Sequence, residues 1–363
     1  MGVCDSNINK KKKLRKNNSY QKNEKLDLKK LEKISKKDLL QKDYILSSKD
    51  AIRDDITKYY KLSSEILGEG AGGKVCLGEN SNGKYAIKRI TKEKVKNIDA
   101  LIKEVKCSKL HHENIIKYYE VYEDLKTISF VMELGDGDLF DFIMNTPEHK
   151  LSIDLCIELT LQILNVLKYL HYNLGIIHRD LKPENFMIII GENNNPIVKL
   201  IDFGLATNIP DNGKLLYDNI GTIDYSAPEV ISYYGYNEKM DIWSLGIILF
   251  NMLTGYEPFK GDTPSEIKDS VLFATIKFDK IEDNDLRELN EKLLNRFVSK
   301  RITCKEALLE IKRIKVERDN YYKGYKRLSK KTPSVILKKE RGEVMEYMNY
   351  WETLTMNMKT NYE

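Results

Sequence analysis

Residues 175–186 read GIIHRDLKPENF. An apolar pair leads into His178, Arg179, Asp180, Lys182, Glu184 and Asn185, and an aromatic closes the run. Pro183 disfavours a continuous helix here, so the stretch is a loop that turns several polar groups toward a common point. At such a point a carboxylate can accept a hydroxyl proton, a lysine can neutralise phosphate charge, and an amide oxygen can ligate a hard cation. The bland alternative is a capped, proline-containing loop without chemistry, and these twelve residues alone do not choose.

The flanks narrow the choice. Downstream, FMIII and IVKLI enclose GENNNP as a small hairpin, and IDFG at 201–204 sets Asp202 at a strand end, a second hard oxygen donor. Upstream, residues 152–173 carry Leu155, Leu159, Ile163, Val166 and Leu170 on one helical stripe, and DIWSLGIILFNMLTG at 241–255 is apolar on nearly every face, as a buried helix is. The region before Asp138 is of another kind. KVCLGEN, GKYAIKRI and TISFVMEL have the pattern of strands, NSNG that of a hairpin turn, and residues 98–109 that of one intervening helix. A sheet-rich lobe followed by a helical lobe is expected, an α+β class.

In the first lobe GEGAGGKV places Gly68, Gly70 and Gly73 as G-x-G-x-x-G before Val75. In a dinucleotide fold such glycines open a helix, whereas here a strand follows, which favours a flap whose N–H groups approach phosphate. Lys88 in YAIK lies on the strand face opposite Ile87 and calls for an acidic partner, for which Glu104 is the candidate.

Together the glycine run, the strand lysine, HRDLxxxN, DFG and APE resemble the eukaryotic protein kinase family, of serine/threonine type, over roughly residues 60–313. The resemblance implies a two-lobed fold with an antiparallel N-terminal sheet, and ATP and Mg2+ as cofactors. It implies ATP contacts at Leu67, Gly68, Glu69, Gly70, Gly73, Val75, Ala86, Lys88, Met132, Glu133, Leu134 and Asp138. Asp180 would be the base, Lys182 and Lys88 would meet phosphate, Glu104 would pair with Lys88, and Asn185 and Asp202 would hold the metal. Lys182 and Thr222 follow the serine/threonine form. Glu229 would pair with Arg301, and Asp241 would anchor the loop from below. ELGDGDLFDFI and LTGYEPFKG are most similar to the calcium/calmodulin-dependent group and to calcium-dependent protein kinases, yet no EF-hand loop is present. Two spacings are a residue short of the family pattern, from Glu104 to HHENII and from Glu133 to Asp138.

Arg179 belongs to kinases whose activation segment is ordered by an anion, and Asp218 supplies a permanent carboxylate three residues before Gly221. A pseudokinase or a membrane-recruited scaffold is the rival class; its usual mark is loss of Lys88, Asp180 or Asp202, and all three are present. Protein substrates with basic residues upstream of the phosphosite would suit Asp138 and Glu184, although Asn251 replaces a further glutamate of strongly basophilic relatives.

The ends differ in composition. The chain of 363 residues carries a net +5, but residues 1–60 hold 17 Lys/Arg against 9 Asp/Glu. Basicity therefore sits in an extension (1–59), and nucleic acid is not an expected partner of the folded body. MGVCDS fits an N-myristoylation signal at Gly2 with Cys4 set for palmitoylation, and KKKLRK suits an anionic membrane surface as the second signal. Five scattered cysteines with no CxxC pair, and no hydrophobic leader, place the chain in the cytoplasm at the inner face of a membrane. Residues 314–363 form a charged helical extension for which an autoinhibitory or calmodulin-binding role is the less favoured reading.

Overall fold

A computed structural model describes residues 46–70, 73–95, 97–191 and 194–331. Gly2, Cys4 and the polybasic run lie outside the described residues. The first lobe is a five-stranded antiparallel sheet in the order β1-β2-β3-β5-β4: β1 is Lys61–Gly70, β2 Gly73–Asn80, β3 Gly83–Thr91, β4 Tyr118–Glu123 and β5 Thr127–Met132. Alternation along β3 decides the two faces. Ile87 is fully buried with Ile56, Tyr60, Tyr122 and Val131, while Lys88 points the other way. Helix α1 (Ile98–Cys107) starts at Asn97, whose side chain accepts the Ala100 N–H at 3.0 Å, and turns Leu101 and Val105 into the sheet.

The second lobe is mostly helical. After β6 (Gly137–Asp138) come α2 (Leu139–Met144) and α3 (Ile153–Lys168), then short strands β7 (Ile176–Ile177), β8 (Phe186–Ile190), β9 (Pro196–Leu200) and β10 (Thr207–Asn208). Helices α4 (Pro228–Ile231), α5 (Lys239–Thr254), α6 (Pro264–Phe273), α7 (Asn284–Leu293) and α8 (Cys304–Lys331) complete it. Helix α5 is the hub: from Met240 to Phe250 every residue is buried, as its apolar run requires. Each fully buried large apolar side chain there contributes about 1.5–3 kcal/mol relative to leaving it exposed.

One expectation is revised: the helix over 152–173 stops at Lys168 and widens into a π-type turn, Tyr169–Leu174, which sets His171 against Asp241. Packing also extends past both ends of the 60–313 stretch: Leu46, Ala51 and Ile56 are buried against the sheet before residue 60, and the last helix crosses residue 313. Helix α8 runs through it, since Ile311 and Ile314 face the core while Arg318 reaches Asp154 of α3 at 2.9 Å and Asp283 at 2.8 Å. Among the described residues no helix is long and apolar enough to cross a membrane, and Cys76, Cys107, Cys156 and Cys304 are free thiols.

Candidate active site

The loop opening the sequence reading is held from beneath. Asp241 on α5, wholly buried, accepts the backbone N–H groups of His178 and Arg179 at 2.9 Å each and meets His171 Nε2 at 2.8 Å. Burial alone would raise its pKa, but His171, His178 and the loop N–H groups more than offset this and hold its carboxyl below the ordinary range. One helix-borne carboxylate thus fixes the two residues before Asp180.

Asp180 is in turn aimed by two neighbours, Thr222 and Asn185. Its Oδ1 accepts the Thr222 N–H at 2.9 Å and the Thr222 hydroxyl at 2.8 Å; Asn185 Nδ2 donates to the Asp180 carbonyl at 2.7 Å and to Oδ2 at 3.1 Å. Lys182 Nζ donates to Thr222 Oγ1 at 3.2 Å. Gly221, at φ +95°, permits this approach: a Cβ there would lie 2.5 Å from the Arg179 carbonyl oxygen.

Lys88 Nζ donates to Glu104 Oε1 at 2.6 Å, so the short spacing after Glu104 leaves the pair intact. Burial works against the Lys88 charge, but the carboxylates of Glu104 and Asp202 outweigh it and raise the ammonium above its ordinary value. Asp202 thus belongs to the same charge cluster. It sits at φ +59° with Oδ1 accepting the Gly204 N–H at 2.9 Å, while Phe203 is fully buried edge-on to His178. The amide nitrogen of Asn185 is committed to the loop, which leaves its Oδ1 as a hard-oxygen donor of the same kind as the Asp202 carboxylate. Few protein oxygens with room for phosphate and water is what magnesium takes, and the residues fit that ion. Among the described residues no group of three or more His, Cys, Asp or Glu could hold a metal by itself.

Above the loop, β1 and β2 close as a flap with Gly68 opposite Val75 and Glu69 opposite Lys74; the exposed Glu69–Lys74 pair at 3.3 Å is worth little. Val75 lies opposite Lys88 and Ala86 opposite Met132, so the expected wall residues share one sheet register, with Leu67 near the flap. Glu133 spends its N–H on the Lys117 carbonyl at 2.9 Å and its carboxylate on the Lys117 N–H at 2.6 Å and Lys199 at 3.0 Å. Asp138 caps α2 through the Asp141 N–H at 2.8 Å; burial, with Asp141 and Glu184 adding to it, raises its carboxyl pKa.

Several residues escaped the sequence reading. Gly135 is required because a Cβ would meet Met187 Cγ at 2.2 Å, and Met187 with Ile201 and Met132 packs onto the first-lobe core where the lobes meet. The glycine in ELGDG was the available signal. Tyr236 had none: its hydroxyl accepts Arg179 Nη1 at 3.0 Å, beside Asp218 Oδ2 at 2.5 Å from the same nitrogen, because Leu216 and Tyr236 form a two-bond β-bridge. Arg179 lowers the Asp218 carboxyl despite partial burial. Glu229 and Arg301 make a bidentate buried pair at 2.6 and 2.9 Å.

The family model described as Protein kinase domain matches residues 61–310. Among similar proteins, Calcium-dependent protein kinase 4 of Plasmodium falciparum is 38% identical over 256 residues, 67% of this chain and 47% of that protein. Calcium-dependent protein kinase 29 of Arabidopsis thaliana is 35% identical over 268 residues, 70% of this chain and 48% of its own length. A probable serine/threonine-protein kinase, fhkC, of Dictyostelium discoideum is 36% identical over 260 residues, 67% of this chain and 42% of that protein. The matched stretch therefore spans about half the length of these relatives.

Proposed function

The chain belongs to the protein kinase family, and from that premise we propose that it transfers the γ-phosphate of ATP to serine or threonine hydroxyls of proteins. What supports this is two groups that adjoin where the Ile201 N–H donates to the Asn185 carbonyl at 2.9 Å: Lys88 paired with Glu104 in the field of Asp202, and Asp180 held by Thr222 and Asn185 with Lys182 on the same threonine. Asp180 receives the proton of the incoming hydroxyl; Thr222 occupies Oδ1, and Oδ2, which accepts one bond from Asn185 Nδ2, keeps its other lone pair for that donor. Lys182 lies one hydrogen bond from the same threonine and faces the charge that develops on the moving phosphoryl. Lys88, kept cationic by Glu104, orients phosphates, and Asn185 Oδ1 with the Asp202 carboxylate would hold magnesium. Bound MgATP supplies the phosphoryl donor and neutralises its charge. Thr222 beside Asp180 and Lys182 supports serine/threonine over tyrosine as acceptor.

Asp218 contributes to basal activity without an upstream kinase, beside Leu205 and Tyr236, which also hold Arg179. Its carboxylate engages Arg179 as an activation-segment phosphate would, with one charge rather than nearly two. Of the nearby hydroxyls, Thr222 is committed to Asp180 and Tyr225 is partly buried against the helical core, whereas Tyr217 is exposed. Asp138 and Glu184 favour arginines upstream of the phosphosite. Gly2, Cys4 and KKKLRK support a lipid-anchored form at the cytoplasmic face of a membrane, where each basic residue adds about 1 kcal/mol near anionic lipid; a Gly2→Ala chain that stays on membranes would overturn this.

Full chain made in bacteria and treated with phosphatase should move radiolabel from ATP to serine or threonine of a basic protein, and Lys88→Met and Asp180→Ala should not. Silence of the wild type, before and after treatment with a second kinase, would leave the scaffold reading in its place.

A further inference from the structure

Residues 46–56 precede the family match at residue 61, yet they are built into the lobe that carries Glu104. Leu46 and Ala51 share one apolar cluster with Val95, Leu101 and Val105 of α1 and its approach, and with Ile116, Val121, Ile128 and Phe130 of the sheet. The backbone joins the open edge of β4: the Ile52 N–H donates to the Val121 carbonyl at 2.8 Å, and the Glu123 N–H donates to the Ile52 carbonyl at 2.9 Å. The Leu46 N–H donates to Glu123 Oε2 at 2.8 Å, and that carboxylate, buried completely, also pairs with Lys92 at 2.8 Å. Asp50 forms an ion pair with Lys109, just past the C-terminal end of α1. One short segment is thus tied to the β4 edge, to a buried ion pair and to both flanks of the helix.

We propose that residues 46–56 are a strap that positions α1 for catalysis, with Leu46 and Ala51 as its apolar anchors and Asp50 as its polar one. Helix α1 contributes a single group to the catalytic cluster, Glu104, and the Lys88–Glu104 distance depends on where the helix lies against the sheet. Wedging Leu46 and Ala51 into the cluster that also holds Leu101 and Val105 fixes that position from the side away from the nucleotide. This inference rests on the kinase reading for its consequence and on the geometry alone for the positioning.

The test uses the full chain in four forms: wild type, Leu46→Ala, Leu46→Met and Ile52→Pro. Ile52 has an exposed side chain, so proline there removes the bridging N–H without emptying the core, and it carries the test if Leu46→Ala does not fold. Amide exchange across residues 98–107 reads helix seating without reference to activity: Leu46→Ala and Ile52→Pro should speed it by about tenfold or more relative to wild type and to Leu46→Met. The same variants should lower kcat/KM for ATP by about tenfold, and a loss that acts through Glu104 should vanish in a Glu104→Gln background. Unchanged exchange in α1 would overturn the strap even if every form is active. A lower unfolding temperature with kcat and KM intact, or an equal loss in both backgrounds, would reduce it to a stabilising segment. An inactive wild type with faster exchange in the variants would overturn the kinase reading and leave the positioning standing.

Discussion

The two sides of the cleft are held in different ways. Below, Asp180 stands on a loop bonded to Asp241, to Thr222 and to Asn185, over a helix buried on nearly every face. Above, Glu104 stands on a ten-residue helix whose placement depends on an apolar wedge and on segments drawn from outside the family match. The lower side is over-determined and will resist adjustment. The upper side has fewer restraints, and changing one of them changes whether Lys88 finds its partner. Chemistry is thereby built into one lobe and competence into the other, in keeping with the general rule that movable elements are drawn from the less stable parts of a fold.

Substitutions at four positions would break or sharpen this contrast. Asp180→Asn should lower kcat by about a thousandfold, the upper part of the range for a lost general base, while calorimetry finds ATP affinity within about twofold of wild type. Comparable loss of affinity would mean that the loop itself had moved. Asp241→Ala should cost about 3–4 kcal/mol in denaturant unfolding, since two buried N–H groups lose their acceptor. The pH dependence has a definite sign. The folded pKa of Asp241 lies below its unfolded value, so its contribution is complete above about pH 4 and is lost as pH falls toward the folded pKa. Acid unfolding of wild type should therefore steepen below about pH 4, and an Asp241→Asn chain should lack that component.

On the upper side Glu104→Gln should reduce kcat/KM for ATP by about thirtyfold, with unfolding nearly unchanged, because the amide keeps a hydrogen bond to Lys88 but not the charge. A larger stability loss than activity loss would make the upper side as structural as the lower. The smallest effect is expected at Asp218→Asn. Its partner Arg179 is also held by Leu205 and Tyr236, and the Asp218 side chain is about half exposed, so kcat should fall only about threefold. A fall to background would show that the activation segment depends on that single carboxylate.

Much of the lower side was legible in the sequence because its chemistry is local: Arg179, Asp180, Lys182 and Asn185 lie within seven residues, and DFG follows a recognisable strand. Of the distant pairs, Lys88 with Glu104 was read from the strand alternation and Glu229 with Arg301 came from resemblance; both are formed in the structure. What stayed hidden depends on tertiary contact. Leu46, Ala51 and Ile56 follow neither a helical nor a strand period, and they sit in a lysine-rich stretch whose composition reads as solvated extension. Tyr236 reaches Arg179 only through a β-bridge between loops. The continuity of α8 across residue 313 depends on Arg318 meeting two aspartates from α3 and the start of α7, pairings that no periodicity announces.

The most direct measurement is calorimetric titration of ATP with magnesium into the full chain, its Lys88→Met form and its Asp202→Asn form. One equivalent bound by wild type, with affinity weakened about tenfold or more in each variant, is the predicted result. No uptake by wild type, or uptake indifferent to both substitutions, would contradict the convergence of these groups on one nucleotide.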